Sequence, residues 1–293
     1  MIYGMMAAAY GILIGVQSAF CAEITQAYGN WFSAVVVHLG GFLILTPLFF
    51  TKWGKKQQGS APWYLYLGGT LGFGNVIFSN YGIVSLGITN SNALMFLGEI
   101  VFAAGLDSLG ALGSRKRRIT PMKWAAIVIV LAGVLAIPML SGGNVAVFAF
   151  LAVAASLMRG VISVVSRQLN GQLGLRCGTG FSTYMNYVTG LAAAVLVFCL
   201  MGFPMAASFP AANVPAWTYL CGVFGCCGIF LCNLASPKLS VLTMSLVGFL
   251  FQTGTGIVFD LIWGRLSVPT LVGCAIVTVG MVVNLLAEGK EAK

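Results

Sequence analysis

The sequence predicts an all-α integral membrane protein with ten transmembrane helices in two inverted five-helix repeats. Three observations carry that expectation. Of 293 residues, 59% are hydrophobic and only 7% charged, where a soluble domain carries about 25% charged residues; the mean hydropathy is +0.97. Apolar runs near the length of about 20 residues that a bilayer requires follow one another with short polar connections. Segments of the first half also recur in the second.

The net charge of +9 does not indicate nucleic acid as a partner. The basic residues sit in short clusters between apolar runs, as in cytoplasmic loops of membrane proteins. Eight cysteines are scattered through apolar runs with no CxxC pair and no Cys/His cluster. Neither a metal site, a cofactor nor a disulfide framework is expected, and each cysteine acts as a small apolar residue. The first apolar run lacks a basic leader and aligns with a later segment, so it is expected to be a retained helix rather than a signal peptide.

The expected spans lie near 2–24, 30–51, 61–86, 88–111 and 119–140, then 144–168, 178–203, 214–237, 239–264 and 267–288. In lipid the backbone must satisfy its own polar groups, so these runs are helices; the alternating pattern of a membrane barrel is absent. Trp31, Trp53, Trp63, Trp124, Trp217 and Trp263 fall near span ends, where indole finds both apolar and wet surroundings. If the spans alternate, Lys52, Lys55, Lys56, the Arg115–Arg118 cluster, Lys123, Arg176, Lys238, Lys290 and Lys293 share one side. The opposite loops carry little beyond Glu23 and Arg265. The positive-inside rule then places both termini in the cytoplasm.

The repeats are expected to be 1–140 and 141–293. Segment 15–29 resembles 160–174, and Gly69, Gly72 and Asn80 match Gly222, Gly225 and Asn233 at a constant offset. The same offset pairs Glu99 with Gln252, Asp107 with Asp260, and Pro62 with Pro215. Five spans per half force the second copy to enter the membrane from the opposite side, an arrangement common in secondary transporters.

Three segments, VQSAFCAEITQ (16–26), LGGTLGFGN (67–75) and GEIVFAAGLDSLGALG (98–113), with FQTGTGIVFD (251–260) repeating the last, resemble the drug/metabolite transporter superfamily, and within it the YdcZ type of inner-membrane exporter. The resemblance spans nearly the whole chain. It implies ten spans in two halves, a bacterial cytoplasmic membrane and an export function, and it specifies no cargo. Glu99 stands where the family pattern has Gln, so proton coupling does not follow from the resemblance.

Few polar groups lie in the predicted spans, and intramembrane charges are usually functional. Glu99 is the deepest carboxylate, with Asn92 two turns earlier on the same face; Ser245 and Gln252 are the equivalent pair. Two such stripes meeting at a pseudo-twofold axis would line a cavity, with Glu99 taking a proton or a cationic substrate group, against the alternative of a hydrogen-bonded packing Glu. Arg159, followed by Ser163 and Arg167 on one face, is expected to pair with Glu99, hold an anionic cargo or snorkel. His38 is a candidate proton relay, more simply a packing residue. Gln17, Asn80, Asn233 and Tyr184 complete the candidate set, with Asn75, Ser79, Asn186 and Tyr187 as further polar groups. Asp107 and Asp260 read as structural anchors, the former near Arg115–Arg118. Gly68, Gly69, Gly72 and Gly74 read as helix-packing residues.

The function expected is secondary active transport: export of small metabolites or amphiphilic compounds by alternating access, driven by protons or by the cargo's own gradient. An uncoupled facilitator or channel is the alternative. With six acidic residues and one histidine and no catalytic constellation, an enzyme is the weaker reading. The expected partners are a small-molecule substrate, protons and the lipid bilayer, in a monomer or homodimer.

Overall fold

In the computed structural model, which describes residues 2–51, 59–86, 88–113, 116, 120–140, 147–201, 214–262 and 268–291, the chain is helical with no strands among the described residues. The helices are α1 (Ile2–Tyr28), α2 (Asn30–Phe49), α3 (Gly68–Leu86), α4 (Ile88–Leu109), α5 (Pro121–Leu140), α6 (Val147–Cys177), α7 (Thr179–Leu200), α8 (Cys221–Ala235), α9 (Val241–Ile262) and α10 (Val268–Glu291). Six described stretches are long and apolar enough to cross a bilayer: Ile2–Tyr28, Asn30–Phe49, Phe150–Cys177, Thr179–Leu200, Ala216–Lys238 and Val241–Phe259. Lys52, Trp53, Lys55, Lys56, Arg115, Arg117, Arg118, Trp263, Arg265, Lys293 and the side chains of Asp260 and Lys290 lie outside the described residues, as does the boundary near 140.

The distribution of polarity is the reverse of a soluble protein's. Leu109, Phe150 and Leu200 are each at least 70% exposed, whereas Ser33, Ser91, Ser156, Ser182 and Thr183 are fully buried. Hydrocarbon offers no hydrogen bonds, so serine, threonine and asparagine turn inward to find partners. Ser182, for example, donates to the Asn170 carbonyl at 2.6 Å and Ser166 to the Gly68 carbonyl at 2.8 Å. Trp63, Trp124 and Trp217 are exposed near helix starts.

The two halves repeat one local design. Pro62 leads into a 3₁₀ turn, Trp63–Leu67, and then α3; Pro215 leads into Ala216–Leu220 and then α8. Gly29 between α1 and α2 has φ 90°, and Gly178 between α6 and α7 has φ 96°, a left-handed conformation that glycine adopts without steric cost. This pairing corrects the alignment of 15–29 with 160–174. The structural equivalent of Gly29 is Gly178 rather than Gly174, a shift of about one helical turn, which leaves the face of a helix nearly unchanged and so escapes a comparison by eye. The same helices outrun their expected ends, α1 reaching Tyr28 and α6 reaching Cys177. Their polar C-terminal turns stay helical because Arg167, Gln168 and Asn170 are buried within the protein.

Packing follows the repeat. α1 lies against α8 and α9 as α6 lies against α3 and α4; α2 meets α8 as α7 meets α3; and α2 with α7, α4 with α9 and α5 with α10 are self-matched pairs. Ser91–Ser156, Asn92–Arg159 and Glu99–Arg167 contacts rise in step, so α4 and α6 are parallel. Gly11 against Gly248 and Gly15 against Thr255 make α1 and α9 parallel. Phe96 on Phe249 and Asp107 on the amides of Val241 and Leu242 make α4 and α9 antiparallel. It follows that α1 and α6 run in opposite directions.

Two glycines at equivalent repeat positions permit close backbone approach. A Cβ on Gly160 would strike the Met95 carbonyl and the Glu99 amide; one on Gly11 would strike the Gly248 carbonyl and the Gln252 amide. Both obstacles are backbone, so neither can rotate away. Gly68 and Gly69 similarly touch Asn170 and the Asn186 carbonyl, whereas Gly74 has open space. Replacing Gly160 by Ala is expected to destabilise the protein by about 1–3 kcal/mol, the usual cost of overpacking. Gly105→Ala, inside α4 with nothing within 4 Å, is expected to be neutral or to stabilise by up to about 1 kcal/mol. Melting curves of both variants in detergent check this.

Candidate substrate cavity

Between the halves lies a cavity of about 570 Å³, within the few-hundred to 1,000 Å³ range typical of small-molecule sites. α1, α3 and α6 contribute most of its wall, with further residues from α2, α4, α7, α8 and α9. Of the ten sequence candidates, Gln17, His38, Asn80, Glu99, Arg159 and Gln252 line it.

Glu99, 3% exposed, forms an ion pair with Arg167. Arg167 also bonds Ser245 Oγ at 2.8 Å and Ser163 Oγ at 3.4 Å. Of the alternatives held for Arg159, pairing with Glu99 is therefore corrected: the partner of Glu99 is Arg167, two helical turns further along α6. α4 and α6 run parallel, and this register brings Glu99 level with Arg167 while Arg159 stands level with Asn92. Arg159 Nη1 donates to Asn92 Oδ1 at 2.9 Å, and its backbone carbonyl accepts from Asn75 Nδ2 at 3.2 Å. Arg159 Nε is buried without a hydrogen-bond partner, and among the described residues Arg159 makes no ion pair.

Asn92 and Ser245 thus stand behind the wall, each holding one arginine. Asn233 is buried on α8, donating to Thr183 Oγ1 at 3.0 Å, and Tyr184 stacks between Phe42 and Phe49 with centroids 5.8 and 4.4 Å away. The structure does not bring these two to the cavity. Asn80 lines the cavity while bonded to Asn30. His38 packs against Tyr187 and Phe73, and its Nδ1 lies 2.8 Å from the Ala34 carbonyl. That contact requires a proton on Nδ1. Asp107 accepts from the Val241 and Leu242 amides at 3.2 and 3.0 Å, while Arg115, Arg117 and Arg118 of its expected anchor lie outside the described residues. Asp107 thereby caps α9, where a carboxylate also meets the positive end of the helix dipole.

Arg167 is the principal residue that sequence reasoning underweighted. The signal was present in its four-residue steps from Arg159 and Ser163, but span 6 was expected to end at 168, which placed Arg167 at the membrane edge. Tyr10 and Asn186 also line the cavity.

An apolar exterior wrapped around a cavity that contains a buried ion pair defines a polytopic helical membrane protein with an internal solute-sized site. The family model described as "Putative inner membrane exporter, YdcZ" matches residues 2–136 and again 151–283. The chain belongs to that family, whose two matches coincide with the two structural halves and support a transporter role. The fold is also similar to a solved structure described only as "Crystal structure of protein", at 16% identity and TM-score 0.69, covering 99% of each chain; at that identity the likeness is one of fold alone. Comparison with curated proteins gave no match.

The Glu99–Arg167 pair yields a direct test. Glu99→Gln or Arg167→Gln alone leaves a buried charge uncompensated and is expected to cost about 3–5 kcal/mol. The double variant removes both charges and is expected to recover most of the loss. Melting temperatures of the four proteins in one detergent form the cycle. Additive losses would mean that the two residues act independently.

Proposed function

We propose that the protein is a secondary active transporter that exports small metabolites or amphiphilic compounds across the cytoplasmic membrane by alternating access. In this reading it has ten transmembrane helices in two inverted repeats, residues 1–140 and 141–293, with both termini cytoplasmic. The observation that carries the proposal is the position of the cavity: solute-sized, lined by an ion pair together with apolar side chains, and walled by helices of both halves inside an apolar body. Inverted-repeat transporters place their sites at the repeat interface, where the halves can exchange conformations around a fixed centre. The opposed directions of α1 and α6 and the self-matched helix pairs support the inverted arrangement.

Substrate-site candidates are the six lining residues, with Asn92 and Ser245 positioning the arginines. Proton coupling would run through Glu99, the carboxylate of the cavity wall among the described residues. Its pairing with Arg167 must open before it can take a proton or a cation, which makes that pair the natural switch of a coupled cycle. A single chain contains both halves, so the working unit can be a monomer.

Two outcomes are expected in liposomes carrying purified protein. Gly72 lines the cavity, and a Cβ there would find its nearest neighbour, Asn186 Oδ1, at 3.9 Å. Gly72→Leu is therefore expected to project a bulky side chain into the site and strongly reduce saturable uptake of a labelled metabolite panel while the melting temperature holds. Undiminished uptake would remove the cavity as the transport site. With a pH-sensitive dye inside, substrate-driven proton movement is expected in the wild type and absent in Glu99→Gln. Saturable flux without proton movement in the wild type would make the protein an uncoupled facilitator, and flux that does not saturate would make it a channel.

A further inference from the structure

The repeat is symmetric in backbone and asymmetric in charge. Equivalent positions, read through the Gly29–Gly178 and Pro62–Pro215 registers, put Tyr10 opposite Arg159, Ser18 opposite Arg167, and Gln252 opposite Glu99. All six line the cavity, but the charged members sit only on α4 and α6, which pack against each other.

The charges do not cancel. Glu99 is ion-paired with Arg167, so the two arginines and one carboxylate of the wall leave one positive charge uncompensated among the described residues, and Arg159 is the arginine without an ion pair there. A guanidinium carries five donors, of which Asn92 takes one, and Nε has no partner. Arg159 is 4% exposed, so bulk water does not solvate it as it would a surface arginine. An unpaired buried charge with unused donors is costly. A feature of that cost, in a cavity of solute size, fits a ligand that brings the missing charge. One uncompensated cation calls for one negative charge, since a dianion would leave the site as unbalanced as it is when empty. The rest of the wall includes Ile14, Val76, Met95, Ile229 and Phe249, which suits an organic body better than an inorganic ion.

We infer that the cavity binds a small organic monoanion, its acidic group on Arg159 and its apolar part against Met95 and Phe249. This rests on the transporter reading for its physiological meaning, while the binding itself can be measured without it.

The probes are benzenesulfonate, neutral benzenesulfonamide and cationic benzamidine, three rings of similar size that differ in charge. Melting temperatures are measured with purified protein in a non-ionic detergent, and uptake in liposomes of zwitterionic lipid, so that no anionic headgroup competes. Benzenesulfonate is expected to raise the melting temperature saturably, as ligand binding to the folded state must; the other two are not. Arg159→Gln is expected to abolish the shift, and Arg159→Lys, which keeps the charge, to retain part of it. Because Arg159→Gln removes a lone buried charge, it is expected to fold; a folded Arg159→Lys with no shift would also oppose the inference. Equal shifts with benzenesulfonamide, a shift with benzamidine alone, or an undiminished benzenesulfonate shift in Arg159→Gln would overturn it. Labelled benzenesulfonate separates the two readings. Binding without uptake would keep the anion site and remove the carrier role for this class. Uptake of benzamidine without benzenesulfonate binding would remove the anion site and keep the carrier.

Discussion

Hydrocarbon cannot accept or donate a hydrogen bond, and the rest of the structure follows from that constraint. A polar side chain within a span must find its partner inside the protein. The chain therefore collects serines, asparagines, two arginines and a glutamate at its centre and presents leucine, valine and phenylalanine outward. The same constraint keeps the backbone helical even through polar stretches such as the last turns of α6, where a loop would leave amides without partners. Helix packing then depends on how closely backbones can approach, and glycines such as those at positions 11, 69 and 160 permit it.

Repetition of one five-helix design gives the protein its centre. Several side chains meet their own repeat equivalents there: Phe96 stacks on Phe249 at 3.5 Å and 8°, and the His38 and Tyr187 rings lie 6.0 Å apart. Gly41 and Gly190 make room for those last two rings reciprocally, Gly41 for Tyr187 and Gly190 for His38. Self-meeting contacts of this kind mark a pseudo-twofold axis. A small rearrangement on one side of such an axis has a ready counterpart on the other, which is the geometric requirement for a device with two mirrored states. The charges do not obey the axis. They lie on α4 and α6, and that departure gives the cavity a chemical polarity that the backbone lacks.

Much of this was legible in the sequence. Composition and run length identified the helices, and Pro62 with Pro215 and Glu99 with Gln252 revealed the repeat at the correct offset, because α3, α4, α8 and α9 carry strong, evenly spaced markers. The register of α1 against α6 was off by about one turn, since a shift of that size preserves a helical face and only the glycine break between helices resolves it. Glu99 and Arg159 stood out as buried charges, but their pairing did not follow from spacing within either helix. Tyr184 and Asn233 looked like equally good wall residues, and nothing in a one-dimensional pattern separates a polar group that faces a cavity from one that faces a neighbouring helix.

By itself the sequence determined solvent, secondary structure, repeat and the identity of the rare buried charges, because each is a property of composition or of spacing along one chain. Tertiary structure alone decided which arginine Glu99 pairs with, which arginine is left over, and that Asp107 caps a helix of the other half. Those outcomes depend on the relative height of α4, α6 and α9. That height is set by packing between residues far apart in the chain, and the spacing within any one helix carries no record of it.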